Sequence, residues 1–127
     1  HRLHSRVSFL SQVPGEHLPA LYQMATITTY PSIFEGFGIP VLESIVSGTP
    51  VVTSDRLCFT DAGGTAAHYI SPYRPDELSH AIDRLLSDHD HYQSMVARGR
   101  EHRNAFTPSK FAANTMDVYQ KVMQEAK

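Results

Sequence analysis

The sequence contains little of what would mark several common classes of protein. It has one cysteine, Cys58, so no disulfide can form within the chain, and a reducing compartment is favoured. Its apolar runs are short, so we expect neither a membrane span nor a signal peptide in it. The formal net charge is only −2, counting histidine as neutral, so no basic excess points to nucleic acid or an anionic membrane surface.

The eight histidines do not follow a metal-binding pattern. His89 and His91 are two positions apart, and on a helix this spacing directs the two rings to different sides. A zinc site needs three or four converging ligands. We therefore expect no metal site.

What is present is the composition of an ordinary globular domain. The 127 residues are 41% hydrophobic and 19% charged, which predicts a single domain over residues 1–127 that buries its own core. The chain opens on "HRLHSRVSFL", where a strand-like run starts within a few residues and no initiator methionine precedes it. We therefore expect a fragment of a longer protein.

Strand-like and helix-like patterns alternate along the chain. Apolar and β-branched runs predict strands at 7–10, 25–30, 51–53 and 68–70. Helical spacing and end signals predict helices over about 18–25, 40–48, 75–87 and 90–103, and after Pro108. Residues 54–67 are expected to form a loop with at most one short helical turn. In the last helix, we expect Phe111 and Tyr119 to lie in the core.

This alternation, with its short connections, predicts a fold of the α/β class. The expected architecture is a Rossmann-like parallel sheet with helices on both faces. Ligands of such sheets bind beyond the carboxyl ends of the strands, and residues 32–38 follow one of those ends.

The stretch "EGFGIPVLE" has the features of an anion site at that place. A helix that begins near Pro40 presents unpaired N–H groups and the positive end of its dipole, which suit phosphate. Gly36 and Gly38 lack Cβ and let the backbone approach a ligand closely. Glu35 precedes the helix and Glu43 lies about one turn inside it, and carboxylates suit the vicinal hydroxyls of a sugar or ribose.

Two interpretations of these residues remain open at this point. An anion site with a carboxylate at each end describes the binding of a nucleotide-diphospho-sugar. The alternative is that Glu43 is a charge favoured by the helix dipole and that Gly-x-Gly only forms a turn.

The longer stretch "PSIFEGFGIPVLESIVSGTPVVTSD" resembles the signature of the retaining, group 1 (family 4) glycosyltransferases of GT-B fold. The signature is a Glu-x7-Glu pair in a frame of fixed residues. The positions met here are Pro31, Ser32, Glu35, Gly36, Phe37, Gly38, Pro40, Glu43, Gly48, Pro50, Val51 and Val52. Residues 7–25 and 62–88 resemble the flanking stretches of the same family. The chain is thus similar to a C-terminal, donor-binding domain.

The resemblance implies a role for each matching residue. Glu35 would contact hydroxyls of the transferred sugar and is the catalytic candidate, acting as a positioning group. Glu43 would bind the ribose hydroxyls. The rest of the implied donor-binding set is Gly36, Phe37, Gly38 and Ile39, whose backbone faces the sugar and diphosphate, and a base-side loop of Leu10, Ser11, Gln12 and Val13.

The implied activity is hexosyl transfer from a UDP- or GDP-sugar to a glycan or lipid-linked acceptor, as in polysaccharide biosynthesis. The resemblance implies no metal, no cofactor and no nucleic acid. It places the enzyme in the cytoplasm or at the periphery of the inner membrane. The partner of this fragment would be the N-terminal domain, which supplies the acceptor site and a basic Arg–Lys pair, so we expect the fragment by itself to be inactive. The alternatives are a non-catalytic nucleotide-binding module, or an enzyme like a nucleotide-sugar epimerase or a phosphorylase.

Overall fold

A computed structural model describes residues 3–125. It contains a parallel sheet in the order β1–β2–β3, formed by Thr28–Tyr30, Val51–Ser54 and Ala67–Ile70. The α-helices within these residues are α1 (Leu18–Met24), α2 (Ile39–Ser47), α3 (Leu57–Gly63), α4 (Pro75–Ser87), α5 (His89–His102) and α6 (Pro108–Glu125). Short 3-10 helices occur at His4–Arg6, Gly15–His17 and Arg103–Ala105.

Two neighbouring residues of β2 anchor the two halves of the core. Val51 and Val52 are both fully buried, and they point to opposite faces of the sheet because side chains alternate along a strand. The cluster around Val51 is completed by Val41, Ile45, Phe59, Ala62 and Ala66. The cluster around Val52 is completed by Ile70, Ala81, Leu85 and Met95. The predicted parallel sheet with helices on both faces is therefore confirmed.

Helix α2 has glycine at both of its ends, as predicted. Gly38 precedes it and Gly48 follows it, and both adopt the left-handed conformation, with φ of 99° and 86°. Pro40 lies in the first turn, where N–H groups have no intrahelical acceptor, so the lack of an N–H in proline removes no helical hydrogen bond. The N–H of Gly48 donates to the carbonyl of Ile45 at 3.0 Å, which closes the C-terminal end.

Helix α3 is longer than the sequence predicts. Residues 57–63 form a helix of seven residues where we expected a loop with at most one short turn. Gly63 and Gly64 are turn formers, which disfavour a longer helix at this place. Packing overrides it, since Phe59 and Ala62 are fully buried on the Val51 side of the core.

The predicted strand at Val7–Leu10 is wrong. This segment has no strand pairing with any part of residues 3–125, and Phe9 and Leu10 are 94% and 67% exposed. A strand satisfies its backbone N–H and C=O groups through a neighbouring strand. The apolar pattern is present here, but the neighbour is not among the described residues.

The last helix forms as predicted, but the assignment of its side chains to the core is wrong. Thr107 Oγ1 accepts a hydrogen bond from the Lys110 N–H at 3.3 Å at the start of α6. Phe111 and Tyr119 are 75% and 59% exposed, and no residue of α6 is buried in the structure described. An amphipathic pattern favours a helix, whereas burial requires a packing partner.

None of the helices within residues 3–125 combines the length and the apolar character needed to cross a membrane.

Candidate functional site

The site is built around the tight turn that joins β1 to α2. Gly38 ends this turn in a left-handed conformation, which residues with a Cβ rarely adopt. A Cβ at Gly38 would also lie 2.7 Å from Cδ1 of Phe59, a fully buried ring of α3. Glycine is therefore required here both by the backbone conformation and by close packing against α3.

Three backbone amides at and just before the start of α2 have no acceptor among the described residues. The carbonyl of Gly38 accepts hydrogen bonds from the N–H groups of Val41 at 3.0 Å and Leu42 at 3.3 Å, so the helical hydrogen bonding begins at Gly38. The N–H groups of Phe37, Gly38 and Ile39 donate no hydrogen bond within residues 3–125. These three donors lie at the positive end of the helix dipole, an arrangement suited to phosphate oxygens.

The carboxylate of Glu35 is fixed through one of its two oxygens. Tyr30 Oη donates to Glu35 Oε1 at 2.6 Å, and Ser32 Oγ donates to the same oxygen at 3.2 Å. No hydrogen bond from residues 3–125 reaches Oε2. The hydrogen bond to Glu35, aided by burial, raises the pKa of the Tyr30 hydroxyl above its ordinary value.

Glu35 lines an open cavity of about 590 Å³. Two other lining residues come from the segments after β2 and β3: the Arg56 guanidinium lies 5.6 Å from the ring centre of Tyr73. The residues that line this cavity with Glu35 include Ile33, Phe34, Asp55, Arg56 and Tyr73. Carboxylates, a guanidinium and exposed rings in one cavity are groups that bind hydroxyl-rich ligands.

Glu43 is held by a second tyrosine, from α1. Tyr22 Oη donates to Glu43 Oε2 at 3.1 Å, across the packed interface of α1 and α2. Burial, together with the hydrogen bond and the charge of Glu43, raises the pKa of Tyr22 to about 12. The two residues line a cavity of about 390 Å³ together with Gly15, Leu18, Ile39 and Leu42.

The proposed base-side loop lies on another side of α1. Leu10, Ser11, Gln12 and Val13 line a cavity of about 530 Å³ with His17 and Leu21. Gln12 has φ of 55°, a left-handed conformation that favours glycine. The sequence predicted that one ligand binds along this whole set. In the structure Glu35 lines the first cavity, Ile39 and Glu43 line the second, the 10–13 loop lines the third, and residues 36–38 line none of the three.

Comparison with known proteins decides the family. Residues 1–102 match the family model described as glycosyl transferases group 1. The chain belongs to this family. It is 34% identical over 113 residues to an O-antigen chain mannosyltransferase of Escherichia coli, and 43% identical over 83 residues to another from Salmonella typhimurium.

The group 1 assignment extends to the three-dimensional fold. The chain superposes on sucrose-phosphate synthase from Thermosynechococcus elongatus with a TM-score of 0.80 and 29% identity, covering 97% of this chain and 32% of the synthase. The expected GT-B type of α/β fold is thus confirmed. The matched part covers 89% of this chain but 30% of the Escherichia coli relative, and 65% against 24% for the Salmonella relative.

The hydroxyls of Tyr22 and Tyr30 are site features of this group 1 domain that the sequence analysis missed. Tyr22 lies within the helix predicted over 18–25, and Tyr30 ends the strand predicted at 25–30. Tyr22 meets a glutamate 21 residues away, and no local pattern signals such a contact. Tyr30 is five residues from Glu35 and faces it only because the 31–38 loop turns back.

His17 lines the third cavity, whereas His68 and His91 line none of the three. Within residues 3–125 no three His, Cys, Asp or Glu side chains gather to hold a metal ion. His91 packs its ring against His68, with ring centres 5.9 Å apart, while His89 is exposed. Burial lowers the pKa of His68, and the neighbouring positive groups of His91 and Arg84 lower it further.

Proposed function

We propose that this chain is the donor-binding domain of a retaining glycosyltransferase. In this proposal it binds a UDP- or GDP-linked hexose, which the complete enzyme transfers to a glycan or lipid-linked acceptor. The observation that carries the proposal is the set of three amides without an acceptor at Phe37, Gly38 and Ile39, which lie in the sequence between two carboxylates that neighbouring hydroxyls hold in position. The names of the relatives, which include O-antigen chain mannosyltransferases, support the same class of reaction.

The amides have a specific task in the proposed reaction. As the sugar–phosphate bond breaks, negative charge builds up on the departing diphosphate, and preoriented N–H groups stabilise that charge without reorganising. A hydrogen bond to a charged group contributes about 1.5–3 kcal/mol. Two or three of them account for a substantial part of the affinity for diphosphate.

The two glutamates would divide the rest of the donor between them. Glu43 would accept hydrogen bonds from the ribose hydroxyls, and Glu35 would accept them from the transferred sugar and hold it for attack. With retention, the diphosphate leaves first and the acceptor attacks from the same face. Glu35 then acts as a positioning group, since nothing in this scheme requires it as a nucleophile.

The complete reaction is proposed to need residues outside this sequence. A basic pair that neutralises the diphosphate, and the acceptor site, would lie on the N-terminal domain of the enzyme. We propose that the 127-residue chain binds nucleotide and does not transfer sugar. Its single cysteine fits a reducing compartment, and the proposed location is the cytoplasm or the periphery of the inner membrane.

Calorimetric titration of the chain with UDP, GDP, their sugar conjugates, uridine and guanosine tests the proposal. We expect one nucleoside diphosphate to bind at least about tenfold more tightly than its nucleoside, because one or more charge-assisted hydrogen bonds are added. Glu43→Gln should weaken binding of both the diphosphate and its sugar conjugate, and Glu35→Gln only that of the conjugate. Equal affinity for nucleoside and diphosphate would show that the turn is not a phosphate site. Sugar transfer by the 127-residue chain would refute the proposal that the reaction needs residues of an N-terminal domain.

A further inference from the structure

We infer that each signature glutamate works as half of a tyrosine–carboxylate pair, in which Tyr30 positions Glu35 and Tyr22 positions Glu43. This inference rests on the proposed function, because positioning has a meaning only for a carboxylate that binds ligand. The tyrosines themselves are positioning residues and are not proposed to touch the reacting atoms.

The Tyr30 pair connects the core to the sugar-side carboxylate. Tyr30 ends β1, and its ring packs edge-on against the buried ring of Phe59, with centres 6.0 Å apart and planes at 82°. Its hydroxyl and that of Ser32 both bind Oε1 of Glu35. The carboxylate is thereby held through one oxygen, and Oε2 keeps its full capacity to accept hydrogen bonds from a ligand.

Phe59 also contacts the turn that carries the amides. A Cβ at Gly38 would clash with the ring of Phe59, so this one buried side chain supports both the turn and the tyrosine that holds Glu35. The buried ring of Phe59 therefore supports both the turn that carries the amide donors and, through Tyr30, the sugar-side carboxylate, which Ser32 also holds. Such support is what a site requires if its groups are to hold a fixed geometry.

The Tyr22 pair fixes the second glutamate from a different element. The Tyr22 side chain reaches Glu43 Oε2 from α1, and its own backbone carbonyl accepts a hydrogen bond from Thr49 Oγ1 at 2.6 Å. Thr49 lies in the loop between α2 and β2, so α1 is tied to the middle of α2 through Glu43 and to the loop that follows α2. Oε1 of Glu43 receives no hydrogen bond from residues 3–125. Like Oε2 of Glu35, it can therefore accept hydrogen bonds from a ligand.

Tyr69 is a third tyrosine, and within residues 3–125 its hydroxyl binds only backbone carbonyls and no carboxylate. Tyr69 Oη donates to the backbone carbonyls of Gly64 at 2.8 Å and Phe59 at 3.2 Å. The shorter bond is to Gly64, which ends α3 and is not part of the proposed site, and the longer one reaches the backbone of Phe59 and not its ring. Tyr69→Phe is therefore the matched control for the loss of a half-buried hydroxyl.

The experiment compares Tyr30→Phe, Tyr22→Phe and Tyr69→Phe in the 127-residue chain, using the nucleoside diphosphate and sugar conjugate that bind the wild type. Tyr30→Phe should raise Kd for the conjugate by roughly fivefold and leave Kd for the diphosphate unchanged, which is the effect of one lost hydrogen bond on the sugar side. Tyr22→Phe should raise both constants by a similar factor, so that their ratio is unchanged. Tyr69→Phe should lower Tm and leave both constants at their wild-type values.

For Tyr30→Phe, the ratio of the two constants separates positioning from general destabilisation, which would raise both constants together. For Tyr22→Phe, the separation comes from Tyr69→Phe, which should lower Tm without changing either constant. If Glu35→Gln and Glu43→Gln alter binding while the two tyrosine variants do not, the inference is wrong and the proposed function stands. The inference also fails if Tyr30→Phe changes both constants equally. If the wild-type chain binds no nucleotide, the proposed function and the inference fall together.

Discussion

Replacing Gly38 by alanine tests the central structural argument about the site. Gly38 has φ of 99° and ψ of 45°, and an added Cβ would lie 2.7 Å and 3.2 Å from two ring carbons of Phe59 and 3.5 Å from Cβ of Ala62. The backbone term for a residue with Cβ in this left-handed conformation is about 1–2 kcal/mol. The steric term is that of overpacking a well-packed core, about 1–3 kcal/mol, because a buried ring has no free end to move aside. The two terms together predict a loss of about 2–5 kcal/mol in the free energy of unfolding.

Two other glycines separate these terms. Gly48 has φ of 86° but nothing within 4 Å of a built Cβ, so Gly48→Ala should show only the backbone term, about 1–2 kcal/mol. Gly36 has neither a positive φ nor a close neighbour, so Gly36→Ala should change stability by at most about 1 kcal/mol, with a small gain possible through the unfolded state.

Urea unfolding followed by circular dichroism measures the three values on one scale. The expected order of destabilisation is Gly38→Ala, then Gly48→Ala, then Gly36→Ala. A loss for Gly38→Ala no greater than that for Gly48→Ala would refute the claim that Phe59 closes on the turn. In that case the turn would have room to relax, and packing against Phe59 would not hold the amides of Phe37, Gly38 and Ile39 in a fixed geometry.

Three further predictions concern single side chains. Glu43→Gln should lower the pKa of Tyr22 from about 12 part of the way towards 10, since burial remains as the larger cause; 13C NMR of labelled tyrosine follows this titration. His68 has a lowered pKa in the folded state, so its contribution to stability is complete above the unfolded pKa near 6.5 and is lost as pH falls from that value through the lower folded pKa; unfolding curves should show this loss, and His68→Gln should reduce it. Asp88 Oδ1 accepts the His91 N–H at 2.9 Å at the start of α5, so Asp88→Ala should cost about 1 kcal/mol in the same unfolding assay, and a value near zero would show that the cap is dispensable.

The packing of the structure explains why two loops of similar composition end up differently. Residues 57–63 and 31–38 both contain glycines and polar residues between regular elements, and the sequence predicted loops for both. The first becomes α3 because Phe59 and Ala62 find a buried surface on the Val51 side of the core. The second stays a loop because Gly38 must turn the chain sharply into α2.

The sequence by itself determined the features that depend on near neighbours. Alternating apolar patterns predicted the α/β class, glycine and proline predicted both ends of α2, and the Glu-x7-Glu frame predicted the family. Tertiary structure decided what depends on distant partners. The 7–10 run is not a strand because no paired strand lies beside it, and Phe111 is exposed because nothing packs on α6 within the structure described. The hydroxyl that holds Glu43 comes from Tyr22 on a separate helix, and such a contact exists only once α1 and α2 have packed together.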